Sequence, residues 1–533
     1  MNLSLIPMLS FSRCRLANVA FSLLLTWSVV RAADAPTTES PAAAPAPVAS
    51  LTPPVAAAPR INGPTIFGVR PGSPFLFNIV ATGVRPMTFA ADGLPVGLTL
   101  DPATGRITGR LAAAGKFTVV LGAKNEAGEA RRQLRIVVGE DIALTPPLGW
   151  NSWNCWGRNV DQEKVLRSAH ALVAAGLDRH GWSYINIDDA WQGERAGPLH
   201  ALQPNKKFPD LKGLADEIHS LGLKFGIYST PWTKSYAGFL GGSSQNPEGT
   251  ADAAFKVSAA RNQHKLPYDV GPYSFVEADS RQWAEWGVDY LKYDWGPVDA
   301  VNTRLMAVAL RATGRDIVLS LSNNAAKNIL GIVGDLAPLA QAWRTTTDIN
   351  DGWSRVREIG FSQDGWAAWQ SPGHYNDADM LVVGHVGWGT PHPTKLTPDE
   401  QYAHISLWCL LGSPLLIGCD LEKLDPFTLG LLGNDEVIEV NQDALCKQGV
   451  RVGGQGDIYV YAKPLEDGSL AVGLFNLGKT EANVTASWAA LKLKGRQRVR
   501  DLWRQHDLGV MSDAYSAPVA SHGVRFVRMF PAK

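Results

Sequence analysis

Charged side chains gather at four points of the chain: Asp188-Asp189, Lys292 with Asp294, Arg344 with Asp348, and Asn376-Asp377 with Asp379. Each group closes a short apolar run that reads as a β-strand. Carboxylates brought close together repel one another and raise each other's pKa, so the cluster adds nothing to stability. It suits a site for a polyhydroxylated ligand or a metal. Cleavage of a glycosidic bond needs two carboxyl groups flanking one acetal. In the retaining route one attacks the anomeric carbon and the other protonates the leaving oxygen, from about 5–5.5 Å apart. Asp294 lies two residues from Lys292, whose ammonium favours the ionised, nucleophilic carboxylate. Asp348 follows Arg344 by four residues on a loop leaving a strand, within reach of a leaving group; Asp351 and Asp364 are neighbouring alternatives. Asp188 and Asp189 form a pair suited to two adjacent sugar hydroxyls, and Trp153 and Tyr228 offer apolar walls to C–H faces. His374, His385, His392 and His404 are not spaced at i, i+4 with a Glu on one helix, so no metal site is expected.

These residues need a frame that carries strand ends spread over some 230 positions to one face. Eight strand candidates occur in order at 148–153, 184–188, 225–229, 290–294, 317–322, 342–347, 374–381 and 415–420, alternating with helical patterns. Asp161 is placed to cap one helix, and Gly222 to stop another whose Leu211, Leu214, Ile218 and Leu221 share a face. That alternation predicts a central (β/α)₈ barrel over 140–448, whose strand ends converge on the mouth where barrel enzymes do their chemistry. Residues 61–139 carry short strands and turn signals and predict a small β-sandwich; 449–533 predict a second, antiparallel one. Residues 33–60 are a Pro/Ala-rich linker.

Lys and Arg number 50 and Asp and Glu 50, a balance that argues against a nucleic-acid binder. Of 18 Trp, 15 fall between Trp150 and Trp408, which means either a large core or sugar-stacking walls; Trp150 and Trp156 read as core. Residues 1–32 read as a secretory leader, with Arg13 and Arg15 before an apolar stretch at 16–30 and Val30-Arg31-Ala32 as the cleavage site. Export to the periplasm or the medium is expected, with no membrane span after the leader is removed. Cys155, Cys409, Cys419 and Cys446 remain, enough for a disulfide that spacing does not assign. Gly473 to Thr480 fits the phosphate-loop pattern literally, but its Leu-Phe-Asn-Leu centre continues a strand, so nucleotide binding is not expected.

Several motifs resemble one family. Leu148-Gly149-Trp150-Asn151-Ser152-Trp153, Tyr184-Ile185-Asn186-Ile187-Asp188-Asp189-Ala190-Trp191, Leu291-Lys292-Tyr293-Asp294, Trp343-Arg344-Thr345-Thr346-Thr347-Asp348 and Pro372-Gly373-His374-Tyr375-Asn376-Asp377-Ala378-Asp379-Met380-Leu381 resemble glycoside hydrolase family 27, the α-galactosidase and α-N-acetylgalactosaminidase family. The resemblance implies a retaining exo-glycosidase that needs no cofactor, with Asp294 as nucleophile and Asp348 as acid/base. It implies Asp188 and Asp189 on the sugar's hydroxyls, and Trp153, Tyr228, Lys292, Arg344 and Asp377 lining the pocket. The stretch from Leu94 to Gly109 resembles Ig-like domains attached to bacterial glycosidases. Two departures concern the substrate. The family's third-strand motif is replaced by Gly226-Ile227-Tyr228-Ser229-Thr230-Pro231-Trp232 followed by a long insertion. Ser322 and Ala325 align where α-galactosidases carry larger residues against the sugar's C2, which is closer to the N-acetylgalactosaminidase pattern. The intact Asp188-Asp189 pair puts α-galactosidase first. α-N-acetylgalactosaminidase, a related family activity and a non-catalytic carbohydrate-binding protein are the alternatives. The expected partner is a carbohydrate; the sequence leaves the oligomeric state open.

Overall fold

In the computed structural model, residues 48–251, 269–322 and 329–532 are described. The leader, the early linker and Ala325 lie outside them. The centre is a parallel barrel of eight strands: β1 (Leu148–Asn151), β2 (Tyr184–Asn186), β3 (Lys224–Ser229), β4 (Tyr290–Asp294), β5 (Val318–Ser322), β6 (Ala342–Arg344), β7 (Tyr375–Asp377) and β8 (Leu415–Ile417). Neighbours pair in parallel from β8 through β1 to β7, and a parallel bridge from Leu381 to Ile417 closes the ring. Asp161, Asp210 and Asp299 cap the helices Gln162–Ala174, Leu211–Ser220 and Ala300–Ala312, each accepting a backbone N–H of the first turn.

Two strands are shorter than their apolar runs suggest. β6 ends at Arg344; the next residue, Thr345, still donates its N–H to Asp377 O (3.0 Å) and puts its hydroxyl on Gln363 Oε1 at 2.8 Å. β7 stops at Asp377 because the next N–H groups find side-chain acceptors: Ala378 N on Ser413 Oγ (2.9 Å) and Asp379 N on Asp377 Oδ1 (2.8 Å). Asp379 then takes φ +78°, outside the strand region.

The tryptophans mostly join elements across the core. Trp150 donates to Cys419 O at 2.8 Å, Trp191 to Tyr228 O at 2.9 Å, Trp343 to Asn376 Oδ1 at 2.9 Å and Trp408 to Asp379 O at 2.6 Å. A buried indole needs a partner for its N–H, and here that partner belongs to a neighbouring strand or the turn after it. The cysteines Cys155, Cys409, Cys419 and Cys446 are buried and free.

Residues 60–138 form a β-sandwich. One sheet holds Ile66–Val69, Gly128–Val138, Gly115–Asn125 and Thr88–Asp92; the other holds Pro74–Asn78, Arg106–Arg110 and Leu98–Leu100. It rests on the end of the barrel where the strands begin. Asp316 accepts from Arg70 N (2.9 Å) and Ser73 Oγ (3.0 Å); Asn78 Nδ2 donates to Gly222 O (2.7 Å) and Arg106 Nη2 to Ser220 O (2.9 Å). Lys224, which opens β3, lies 5.0 Å from the Phe67 ring and 5.2 Å from that of Tyr184. Asp316→Ala removes the acceptor of two sandwich groups and of the Arg70 guanidinium. It is expected to cost about 2 kcal/mol, since hydrogen bonds to charged groups are the stronger ones. The effect should appear as a fall in Tm with kcat/KM unchanged.

Ahead of that sandwich, Leu51 N donates to Tyr402 Oη at 2.8 Å and Thr52 Oγ1 to Gly430 O at 2.7 Å, so this part of the Pro/Ala-rich stretch lies against the barrel. The C-terminal unit is a six-stranded antiparallel sheet with a two-stranded partner, Ala482–Ser487 with Ala514–Val519. In it the phosphate-loop look-alike runs as the end of strand Leu470–Asn476 and a turn into the next strand. The helix Pro398–Leu411 lies between barrel and sandwich and is buried on all sides, which its sequence shows as a lack of any apolar stripe. No helix of the described residues is long and apolar enough to cross a membrane.

Candidate active site

The strand ends meet at the mouth opposite the N-terminal sandwich, and each acid arrives there by a local device. After β2 the chain leaves the ladder as Asp188 N donates to Ser152 Oγ (3.0 Å), Asp189 N to Asp188 Oδ1 (2.8 Å) and Ala190 N to Asp189 Oδ1 (2.7 Å). On β4 the two-residue period puts Lys292 and Asp294 on the same inward face. Lys292 Nζ bonds Asp188 Oδ2 at 2.8 Å, with a side-chain exposure of 14% for the lysine and 3% for the acid.

Lys292 therefore pairs with Asp188, and only its field reaches Asp294. Burial dominates there: it pushes the Asp294 carboxyl up to about 7, against the Lys292 charge, with Asp348 and Asp188 adding to the rise. The Lys292 ammonium, expected to keep Asp294 ionised, does pull in that direction, but burial outweighs it.

Asp189 is fully enclosed. Its Oδ1 also accepts from Gln192 Nε2 (3.1 Å) and its Oδ2 from Ala237 N (2.7 Å), so it ties the inserted loop after β3 to β2. Burial raises its pKa. The pair does stand at the mouth, but both Asp189 oxygens already hold protein N–H groups.

Arg344, at the end of β6, bridges two acids: Nη2 lies 2.7 Å from Asp379 Oδ2 and 3.1 Å from Asp348 Oδ1. Burial would lower its pKa, but Asp379, Asp348 and Asp377 outweigh it and raise it. The Asp348 side chain is 66% exposed, open to the cleft. Asp377, paired in register with Arg344 across β6 and β7, is pushed up to about 6 by burial, against the pull of Arg344. Ser322, the last residue of β5, is buried and in register with Asp294. Tyr228 is in register with Lys292, its ring 5.8 Å from Nζ; its hydroxyl is buried with no hydrogen-bond partner among the described residues. Trp153 starts a short helix after β1 and stays half-buried at the rim.

The two alternatives to Asp348 have other tasks. Asp351 is buried and accepts from Lys395 N at 3.1 Å; Asp364 accepts from Arg451 N at 3.3 Å, at the seam with the C-terminal sheet. One mouth residue stood in the acid cluster of the sequence without a role assigned to it. Asp379 accepts from Arg344, from Ile349 N (2.7 Å) and from Met380 N (2.9 Å). It thereby fixes both the guanidinium and the peptide after Asp348, a role its motif hinted at but spacing alone did not reveal. Ala190 and Asp379 both have positive φ (92° and 78°), and such strain tends to persist at functional sites.

Comparison with known proteins finds relatives for all three folded parts of the chain. The family described as α-galactosidase A matches residues 145–257 and 264–443, and the α-galactosidase C-terminal β-sandwich domain family matches 455–529. A provisionally named Ig domain family matches 58–139. α-Galactosidase 2 of Arabidopsis thaliana is 37% identical over 401 residues, covering 74% of this chain and 91% of the relative. α-Galactosidase A of Cellvibrio japonicus is 31% identical over 426 residues, covering 74% and 93%. Among solved structures, a Bacteroides fragilis protein provisionally assigned as an α-galactosidase/melibiase superposes with a TM-score of 0.79 at 33% identity, over 89% of this chain and 98% of that one. A β-L-arabinopyranosidase of Geobacillus stearothermophilus gives 0.62 at 28% identity, over 73% and 97%.

Proposed function

Since the chain belongs to glycoside hydrolase family 27, the α-galactosidase A family, we propose that it releases terminal α-linked galactose by double displacement, with Asp294 as nucleophile and Asp348 as acid/base. The enzyme is an α-galactosidase. Asp294 attacks the anomeric carbon as Asp348 gives its proton to the departing oxygen, leaving a galactosyl ester. Asp348 then takes a proton from water, whose oxygen attacks the same carbon and frees Asp294. The observation that carries the assignment is one buried and one exposed carboxyl at a single mouth, Asp294 at the end of β4 and Asp348 just past β6, with Arg344 bonded to the exposed one.

Because Asp294 must be ionised to attack, kcat/KM should fall as pH drops through its raised pKa. Proton NMR of fresh product should show α-galactose first; the β-anomer first would exclude retention. Ser322, small and opposite Asp294, supports a second reading in which an acetamido group also fits at C2. Nitrophenyl α-galactoside and its N-acetylgalactosaminide counterpart assayed side by side separate the two. We further propose export through the leader at 1–32, to be tested by mass spectrometry of the mature N-terminus.

A further inference from the structure

Asp348 sits on the loop between β6 and the helix Trp353–Gly360, and most of that loop's ties come from the barrel. Thr345 Oγ1 holds the root on Gln363, and Asp379 Oδ2 takes Ile349 N (2.7 Å). Arg355, in the first turn of the helix, donates from Nε to Asp348 O (2.8 Å) and from Nη2 to Thr347 O (2.7 Å). Where the helix starts therefore decides where the Asp348 peptide lies. That start has few polar ties of its own. Its N-cap is Gly352, which has no side chain to offer the first turn. The buried Trp353 Nε1 has no hydrogen-bond partner among the described residues.

What meets Trp353 comes from the C-terminal unit. The His522 ring is stacked on it, with centroids 5.0 Å apart and planes 20° from parallel. His522 stands in the turn between strands Ala514–Val519 and Val524–Pro531, at φ +57°, in the left-handed region that favours glycine. The turn is braced: Asn476 Nδ2 donates to Val519 O (3.0 Å) and Ala520 O (3.1 Å), Ser521 Oγ to Gly478 O (2.9 Å) and Gly523 N to Ala520 O (3.1 Å). The ring is braced as well. Its Nδ1 lies 2.7 Å from Glu400 Oε1, and the other Glu400 oxygen accepts Thr397 N at 2.8 Å. Strain of this kind persists where the surroundings over-determine it and a task needs it. Here the strained residue sets one ring against the start of the helix that holds Asp348.

We propose that His522 is a positioning residue for the acid step: stacked on Trp353, it fixes the helix start and, through Arg355, the peptide of Asp348. The proposal rests on Asp348 as the acid. The test compares methyl α-galactoside, whose methoxy oxygen must be protonated to leave, with α-galactosyl fluoride, whose fluoride leaves unaided. kcat/KM reports only the steps up to the glycosyl-enzyme. His522→Gly suits the left-handed backbone and removes the ring, so the turn survives. It should lower kcat/KM for the methyl galactoside about tenfold, since small misplacements of a catalytic group are costly, and leave that for the fluoride nearly unchanged. His522→Phe restores a stacked ring and should recover most of the loss. Equal losses on both substrates, no loss in the glycine variant, or a phenylalanine variant no better than the glycine one overturns the proposal. Asp348→Asn, run alongside, should show the same selectivity more steeply. If it does and the His522 variants do not, His522 alone loses its role. If Asp348→Asn loses equally on both substrates, the acid assignment falls and takes the proposal with it.

Discussion

Asp294→Asn lowers kcat by at least about 10⁴-fold, the scale on which loss of a covalent nucleophile is felt, and at the same time raises the melting temperature. The two effects share one cause. The wild-type carboxyl is buried and its pKa is pushed from 3.8 up to about 7. A raised folded-state pKa gives stability that is present below the unfolded value and lost as pH rises through the folded one. Asn is nearly isosteric and does not titrate, so it escapes that loss. The Tm gap between variant and wild type should therefore open between about pH 4 and pH 7 and stay level above. An inactive variant that melts no higher than wild type at pH 8 would show that the Asp294 charge is better compensated than its burial indicates. Near-normal turnover would remove Asp294 from the mechanism.

Asp348→Asn should cost about 10²–10⁴-fold, the usual contribution of a general acid, but only where the departing oxygen needs a proton. With a trisaccharide substrate the full loss is expected. With galactosyl fluoride, whose leaving group departs unaided, the first step should be nearly as fast as in wild type, and the glycosyl-enzyme should accumulate because water then lacks its base. The amide still reaches Arg344, so the loop should keep its place. Equal losses on both substrates would make Asp348 a positioning residue for Arg344.

The barrel was legible because its strands are apolar runs that end in polar residues, and because helix starts carry Asp161 and Asp210 where capping chemistry demands them. The family motifs sit on the strand ends themselves, which is why Asp188, Asp294, Arg344 and Asp377 all arrive at one mouth. What stayed hidden depends on contacts between distant positions. Lys292 lies two residues from Asp294 in sequence, yet its hydrogen bond goes to Asp188, just past the end of β2 and on the far side of β3. Asp379 works through Arg344 and Ile349, some thirty residues earlier. The excess of tryptophan suggested either core or sugar walls, and the structure divides it: Trp150, Trp191, Trp343 and Trp408 hold neighbouring elements together, while Trp153 and Trp388 face the cleft. Trp388 lies outside every motif, and only folding brings it alongside Tyr236.

The seating of the Ig-like unit on the strand starts gives the molecule two poles. Ion pairs and side-chain hydrogen bonds from Arg70, Ser73, Asn78 and Arg106 fasten it there, so it acts as a pedestal and not as a swinging arm. A surface gripped through that pedestal would leave the sugar entrance facing the surrounding fluid, ready for diffusing chains and turned away from the surface itself.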